Sequence, residues 1–187
     1  MLFRSVFDDL LRDVDRLELT VNDVLTLARN PKPQRRPHPL ATALREASEA
    51  WGSRFHAAQR SLVVRTDDHL PWVQASPAAI RQILDVLLDN SLTHGTGTTR
   101  LSGTRVGNGA VVAVSDEAQV HLDRDQIFAG APAASATPAN GSGIGLPLAR
   151  RLAEAEDLRL VLADAGPGTG VAFNLVFGAT PGETRQT

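Results

Sequence analysis

The stretch that most constrains the fold of this chain is residues 76–94, SPAAIRQILDVLLDNSLTH, which reads as one amphipathic helix. Its apolar residues recur at three- and four-residue spacing, so that one face can pack into a core while polar groups gather near the carboxyl end. Ser76 followed by Pro77 predicts a capped start. The residues predicted to face the core are Ile80, Ile83, Leu84, Leu87, Leu88 and Ser91.

The polar end of this helix carries Asp89, Asn90 and His94. A carboxylate beside an amide supplies oxygen ligands for a hard divalent cation, and an imidazole one turn later is a charge neighbour for phosphate. The alternative is that these groups form only the solvated end of a surface helix. The spacing by itself leaves both interpretations open.

The composition excludes several classes of protein. Of the 187 residues 42% are hydrophobic, which is enough for one sizeable core and an appendage. The net charge is −2, so that no basic face is available for nucleic acid. No apolar run approaches the ~18 residues of a membrane span. The absence of cysteine excludes disulfides and fits a reducing cytoplasm. The single lysine, Lys32, lies among prolines, which excludes a GxxxxGK[ST] phosphate loop.

Residues 2–29 are predicted to form a helix of a coiled coil or bundle. Their apolar residues alternate four and three positions apart, a 3.5-residue period that favours a partner helix over an ordinary helix lying on its own domain. Residues 31–39 contain four prolines and predict a linker that runs into a short edge strand. The apolar seam consists of Phe3, Phe7, Leu10, Val14, Leu17, Val21, Val24 and Ala28.

The rest of the chain mixes helix and strand patterns. Three helices on one face of a mixed sheet predict an α+β fold, a two-layer α/β sandwich. Residues 129–142 are almost wholly small or polar and predict a mobile loop. The predicted helices are 40–59, 76–94 and 143–155, and the predicted strands are 61–66, 72–75, 98–105, 110–115, 158–163 and 170–177.

Four segments occur in a characteristic order: LLDNSLTH, VVAVSDE, GSGIGLPLARRLAE and GPGTGVAFNLVF. This ordered set resembles the four nucleotide-contacting boxes in the ATP-binding catalytic domain of sensor histidine kinases, within the superfamily of gyrase, Hsp90 and MutL. The residues VLTLAR, 24–29, are similar to the end of the second helix of that family's dimerisation hairpin. The resemblance implies a Bergerat-type ATP-binding fold. Its implied domains are a dimerisation helix at 1–30, a linker at 31–39, the ATP-binding domain at 40–178 and a tail at 179–187.

The resemblance also implies a site for ATP and Mg²⁺, closed by a lid formed by residues 129–142. Asp116 matches the residue that reads the adenine amino group, and Asn90 matches the magnesium ligand. Asp89 matches an acid proposed to assist proton removal from the acceptor histidine, and His94 matches a position near the phosphates. The glycine-rich segment before a helix suits anion binding by backbone amides. The other implied nucleotide contacts are Gly141, Ser142, Gly143, Ile144, Gly145, Leu146 and Thr169.

Several positions depart from the family pattern. Where the family has DxGxG, this chain has Asp116, Glu117, Ala118, Gln119 and Val120 in order, so that both glycines are replaced. Val86 stands in place of a common asparagine, and Thr93 in place of a lysine that contacts phosphate. No histidine has the neighbours of the acceptor pattern H-[ED]-x-x-[RK]-x-P.

We therefore expect the catalytic core of a two-component sensor histidine kinase. It would transfer the γ-phosphate of ATP to a histidine on a missing helix or a partner chain, for relay to a response regulator. We expect a homodimer through residues 2–29, no nucleic acid partner, and a location in the cytoplasm, either free or as the cytoplasmic part of a membrane-anchored sensor. Two alternatives stay open: a degenerate kinase that acts as a dimerisation and docking module, and a serine kinase of the anti-sigma-factor type with the same fold.

Overall fold

A computed structural model describes residues 34–118, 127–128, 145–164 and 170–178. All of them lie in one compact unit that spans residues 33–187. The predicted dimerisation helix over 2–29, the lid over 129–142 and the tail from residue 179 lie outside the described residues. Within the described residues the helices are α1, Leu40–Ala57; α2, Pro77–His94; and α3, Gly145–Ala155. The strands there are β1, Arg36–Pro39; β2, Leu62–Thr66; β3, Trp72–Ala75; β4, Thr99–Val106; β5, Gly109–Ser115; β6, Arg159–Asp164; and β7, Val171–Phe177.

Five of these strands form a mixed sheet in the order β2-β4-β5-β7-β6. Strand β2 runs parallel to β4, and the other neighbours are antiparallel. The hairpin between β4 and β5 turns at Gly107, whose φ of 59° is the left-handed conformation that such tight turns need. Strand β1, within the stretch predicted as a linker, pairs with β3 in a separate antiparallel ribbon.

The described helices pack on one face of the five-stranded sheet. All six residues predicted to form the packing face of α2 are at most 2% exposed. The inner face of the sheet presents alternate residues, as period-2 strands require. Together they form one core, and the predicted α+β two-layer fold is confirmed. The central buried residues are Leu44, Phe55, Leu84, Leu87, Leu88, Leu101, Val112, Val114, Phe173 and Leu175.

Helix α1 ends two residues before the end predicted for it, because Gln59 adopts the left-handed conformation with φ of 55°. The N–H of Arg60 then donates to the carbonyl of Phe55 over 2.9 Å, the backbone bond of a Schellman cap. This cap turns the chain sharply and brings the side chain of Arg60 back toward α2.

The start of α2 is capped differently from the prediction. Ser76 occupies the N-cap position and Pro77 the first turn, but the Ser76 side chain makes no capping hydrogen bond. The backbone N–H of Ser76 instead donates to Oε2 of Glu156 over 3.0 Å. The same carboxylate lies 3.4 Å from Nε of Arg35, which also contacts Asp157. A buried acid at the end of α3 therefore fixes the start of α2.

None of the described helices is both long and apolar enough to cross a membrane.

We expect Glu156→Ala to lower the free energy of unfolding by about 1–3 kcal/mol, because it leaves the partly buried N–H of Ser76 without its acceptor. Glu156 is 3% exposed, so water cannot easily replace the lost contact. Urea denaturation of both proteins measures the change. Glu154→Ala is the matched control on the same helix: Glu154 forms an exposed ion pair with Arg150 at 3.0 Å, worth less than about 1 kcal/mol. Equal losses in the two variants would contradict the role given to Glu156.

Candidate nucleotide-binding site

Asp116 is the buried acid around which the candidate site is built. It directly follows β5 and is 7% exposed. The hydroxyl of Ser91 donates to Oδ2 over 2.9 Å, and the backbone N–H of Ala118 donates to Oδ1 over 2.9 Å. The N–H of Asp116 itself donates to the carbonyl of Val171 over 3.2 Å. An ionised carboxylate offers about four acceptor positions, so two remain for a ligand.

Two glycines allow the chain to approach Asp116 closely. Gly95 follows α2, and a methyl group there would lie 2.5 Å from Cγ of Asp116 and 2.5 Å from the carbonyl oxygen of Ser91. Gly170 has φ of 61°, and a methyl group there would lie 2.6 Å from the carbonyl oxygen of Ala118. Any larger residue at either position would displace the backbone or the carboxylate. The close packing around Asp116 therefore depends on both glycines.

The polar end of α2 lies next to this carboxylate. Ser91, bonded to Asp116, is 2% exposed, whereas Asn90 is half-buried and Asp89 and His94 are exposed. Asn90 and His94 are four residues apart and so share one side of the helix. The structure thus places the predicted magnesium ligand and the predicted phosphate neighbour in the same helical turn as Ser91, the residue that holds Asp116.

The start of α3 approaches the middle of α2. A methyl group on Gly145, the first residue of α3, would lie 3.3 Å from Cγ1 of Val86. Val86 is half-buried, packs against the core and precedes Asn90 by one turn. Leu146 also packs against the core. The amino end of α3, the positive end of its dipole, therefore lies beside the α2 segment that leads to Asn90. The predicted contacts Gly141, Ser142, Gly143, Ile144 and Thr169 lie outside the described residues.

Replacement of the family's first glycine by Ala118 leaves the backbone unstrained. Within the described ranges, the residues other than glycine that have positive φ are Gln59 and Asp157, so Ala118 lies in an ordinary conformation. Its side chain is 7% exposed. Val120, which replaces the second glycine, lies outside the described residues.

Phe128 makes two aromatic contacts that the sequence did not predict. Its ring meets Phe173 edge-on, with centroids 6.3 Å apart, and the guanidinium of Arg150 lies 5.2 Å from its centroid. Phe173 belongs to β7. Phe128 therefore contacts one residue of β7 and one residue of α3. An aromatic residue just before a stretch of small residues was the available signal.

The donor set suits an aminopurine nucleotide with magnesium. A carboxylate accepts hydrogen bonds from N–H groups and repels carbonyl oxygens, so Asp116 suits a ligand that presents an N–H donor. Oxygen atoms of Asp89 and Asn90 are the kind of ligand that Mg²⁺ prefers. In the part of the chain that the structure describes, no three His, Asp or Glu side chains cluster as a metal site. Mg²⁺ bound to a nucleotide needs no such cluster, because it commonly takes one or two protein ligands plus phosphate oxygens.

Comparison with known proteins identifies relatives that are sensor proteins and sensor histidine kinases. The chain is 26% identical over 181 residues to the alginate biosynthesis sensor protein KinB of Pseudomonas aeruginosa, covering 90% of this chain and 30% of KinB. It is 28% identical over 145 residues to the probable sensor histidine kinase HK of Mycobacterium tuberculosis, covering 76% of this chain and 38% of that protein. The chain thus spans 30% of the length of KinB and 38% of the length of the mycobacterial protein. No family model matches the chain.

Solved structures with a similar fold include histidine kinases. Full-length ShkA in complex with AMPPNP matches with a TM-score of 0.73 and 25% identity, over 95% of this chain and 39% of ShkA. The histidine kinase ThkA in complex with the response regulator protein TrrA matches with a TM-score of 0.70 and 18% identity, over 91% of this chain and 49% of that one.

The described domain therefore has the fold of a histidine kinase catalytic domain. The homologues of the chain are sensor histidine kinases, and the resemblance to their ATP-binding catalytic domain is confirmed.

Gly95→Ala should destabilise the fold, since its methyl group would overlap the carboxylate of Asp116 and the carbonyl of Ser91. We expect the free energy of unfolding to fall by about 1–3 kcal/mol, the usual cost of overpacking. Gly52→Ala is the control, because Gly52 lies within α1 with nothing within 4 Å of an added methyl group. That substitution should stabilise by about 0.5–1 kcal/mol. Urea denaturation of both variants tests the opposite signs, and a neutral Gly95→Ala would contradict the crowded geometry.

Proposed function

We propose that this chain is the ATP-binding catalytic core of a two-component sensor histidine kinase, which transfers the γ-phosphate of ATP to a histidine outside the chain. The observation that carries the proposal is the buried, oriented carboxylate of Asp116 between α2 and β7. Hydrogen bonds to both of its oxygens fix its direction. A buried carboxylate of this kind is costly unless its remaining acceptor positions meet a donor or water, and an adenine amino group is such a donor.

Base selection follows from the same group. Asp116 can accept a hydrogen bond from the 6-amino group of adenine, whereas the 6-oxo group of guanine would bring lone pairs against lone pairs. Gly95 and Gly170 allow the backbone to lie directly against Asp116 and Ala118, where any side chain would collide with them. The complex of ShkA with AMPPNP supports an adenine nucleotide as the ligand of this fold.

The phosphate end of the nucleotide would lie toward Asn90 and the amino end of α3. The amide oxygen of Asn90 would hold Mg²⁺, which neutralises phosphate charge when it is bound. His94, on the same side of α2, would lie near the phosphates. Backbone N–H groups of residues 141–146 would contact the phosphates, and the dipole of α3 adds to their attraction for anions. Thr169 is proposed as a further contact.

Asp89 is proposed as the general base that assists removal of the proton from the acceptor histidine. Its exposure suits a partner that comes from outside the domain. The response regulator is proposed as the protein that next receives the phosphate, a proposal supported by the complex of ThkA with the response regulator protein TrrA. Dimerisation through residues 2–29 stays a prediction, as does the division into domains at 1–30, 31–39, 40–178 and 179–187.

We expect magnesium-dependent but weak ATP binding, because Thr93 removes a cation that would face phosphate. Isothermal calorimetry with and without Mg²⁺ measures this affinity. Asn90→Ala should weaken binding about tenfold or more, the loss expected for one charge-assisted contact, and Asp116→Asn should nearly abolish binding. Asn174→Ala on β7 and Asp67→Asn after β2 are matched controls that should bind as the unchanged chain does. Absence of heat at millimolar ATP would contradict the proposal and favour the degenerate docking module.

We also expect that the chain by itself does not phosphorylate its own histidines, because none has the neighbours of an acceptor histidine. Incubation with radiolabelled ATP should leave no acid-labile, base-stable phosphate on the protein. Addition of a separate helix that carries an H-[ED]-x-x-[RK]-x-P segment should restore labelling on that helix. Label on His56, His69 or His121 of this chain would overturn the expectation. Acid-stable label on a serine would favour the serine-kinase alternative.

A further inference from the structure

Arg60 forms a cluster of hydrogen bonds at the carboxyl end of α2. Its Nη1 donates to the carbonyl of Ser91 and, over 3.2 Å, to the carbonyl of Leu92. Its Nε donates to the carbonyl of Gly97 over 3.1 Å, and its Nη2 donates to Oγ1 of Thr99 over 3.0 Å. These acceptors are neutral oxygens, and three of them are backbone carbonyls at or just beyond the end of a helix, where a cation complements the dipole.

The cluster continues from Arg60 to Asp116 through two hydroxyl groups. Oγ1 of Thr99 lies 2.8 Å from Oγ of Ser91, and Ser91 donates to Oδ2 of Asp116 over 2.9 Å. Ser91 has a single hydroxyl proton, which it gives to the carboxylate, so the hydroxyl proton of Thr99 must point at Ser91. Thr99 in turn accepts from Arg60. Every hydrogen bond in the series therefore donates toward Asp116.

This series is buried where it meets the acid. Thr99 is 0% exposed, Ser91 is 2% exposed and Asp116 is 7% exposed. Hydrogen bonds that follow one another in one direction polarise each other, and the effect is larger where water is excluded. Because the guanidinium is always charged, its direction of donation cannot reverse. The direction of donation from Arg60 toward Asp116 is therefore the same throughout the series and does not change.

We propose that Arg60, Thr99 and Ser91 are positioning residues that set adenine specificity by fixing the carboxylate of Asp116. This inference rests on the proposed function. Ser91 occupies one acceptor position of Oδ2, and Ala118 occupies one of Oδ1, so the two positions left open have a defined direction. A base with an amino group in that direction gains a hydrogen bond. Without Ser91 the carboxylate is held by one contact only, and it can rotate away from the base.

The test compares ATP with purine riboside triphosphate, which lacks the 6-amino group. Nuclear magnetic resonance titration with Mg²⁺ present measures both affinities, even when they are millimolar. The unchanged chain should prefer ATP by about tenfold or more. Ser91→Ala should weaken ATP binding about three- to tenfold and leave the affinity for the analogue unchanged, so that the preference shrinks. Thr99→Val, which keeps the shape of the side chain and removes the hydroxyl, should shrink it about two- to fivefold.

Arg60→Gln should also reduce the preference for ATP over the analogue, as Thr99→Val does. Ser102 is a half-buried serine on β4, and the control Ser102→Ala should leave this preference unchanged. If Ser91→Ala and Thr99→Val each lowered the affinities for ATP and for the analogue by the same factor, the role of these residues would be merely structural and the inference would be overturned. An unchanged preference in both variants while Asp116→Asn still abolishes binding would also overturn the inference; the proposed function would then stand. No preference in the unchanged chain would overturn both the inference and base recognition by Asp116.

Discussion

Burial of the Asp116 carboxylate is the constraint on which the rest of the site depends. A charged group that is removed from water is unfavourable unless hydrogen bonds replace those of water. Ser91 and the Ala118 N–H supply two of these bonds, and they come from different parts of the chain. The carboxyl end of α2 must therefore lie against the end of β5, and Gly95 must have no side chain for that approach to be possible. The position of one acid thus determines the register between a helix and a sheet.

Helix α2 is held in that position by charged side chains at both of its ends. At the amino end, the carboxylate of Glu156 accepts a hydrogen bond from the N–H of Ser76. At the carboxyl end, Arg60 donates to the carbonyls of Ser91 and Leu92. A negative group at the start of a helix and a positive group at its end both complement the dipole. Since neither residue belongs to α2, the two contacts join both ends of the helix to other parts of the chain.

The local pattern of apolar, polar and turn residues was enough to predict most of the fold and part of the candidate site. The packing face of α2, the strand that precedes Asp116 and the hairpin at Gly107 all follow from short-range periodicity and turn residues. The contacts of Arg60 with α2 and of Glu156 with Ser76 were not predicted, because they join residues that are 31 and 80 positions apart. The same limitation explains the capping of α2. Ser76 is a favourable N-cap residue, but its side chain makes no capping hydrogen bond, and its N–H donates to the distant acid Glu156 instead. Ser91 was predicted only as a core residue, since periodicity shows that it faces inward but does not show what it meets there.

The departures from the family pattern have different physical consequences, which the structure separates. Ala118 adopts an ordinary backbone conformation, and its N–H still donates to Asp116. Loss of that glycine therefore removes no contact of the carboxylate. Val86 packs between the core and Gly145, so that it replaces a polar group by a contact between α2 and α3. Thr93 is exposed, and no packing compensates there for the cation that the family has. At the proposed site, Asp116 therefore keeps its hydrogen bonds, whereas the position of Thr93 lacks the cation of the family pattern. We expect the chain to recognise adenine better than it holds phosphate.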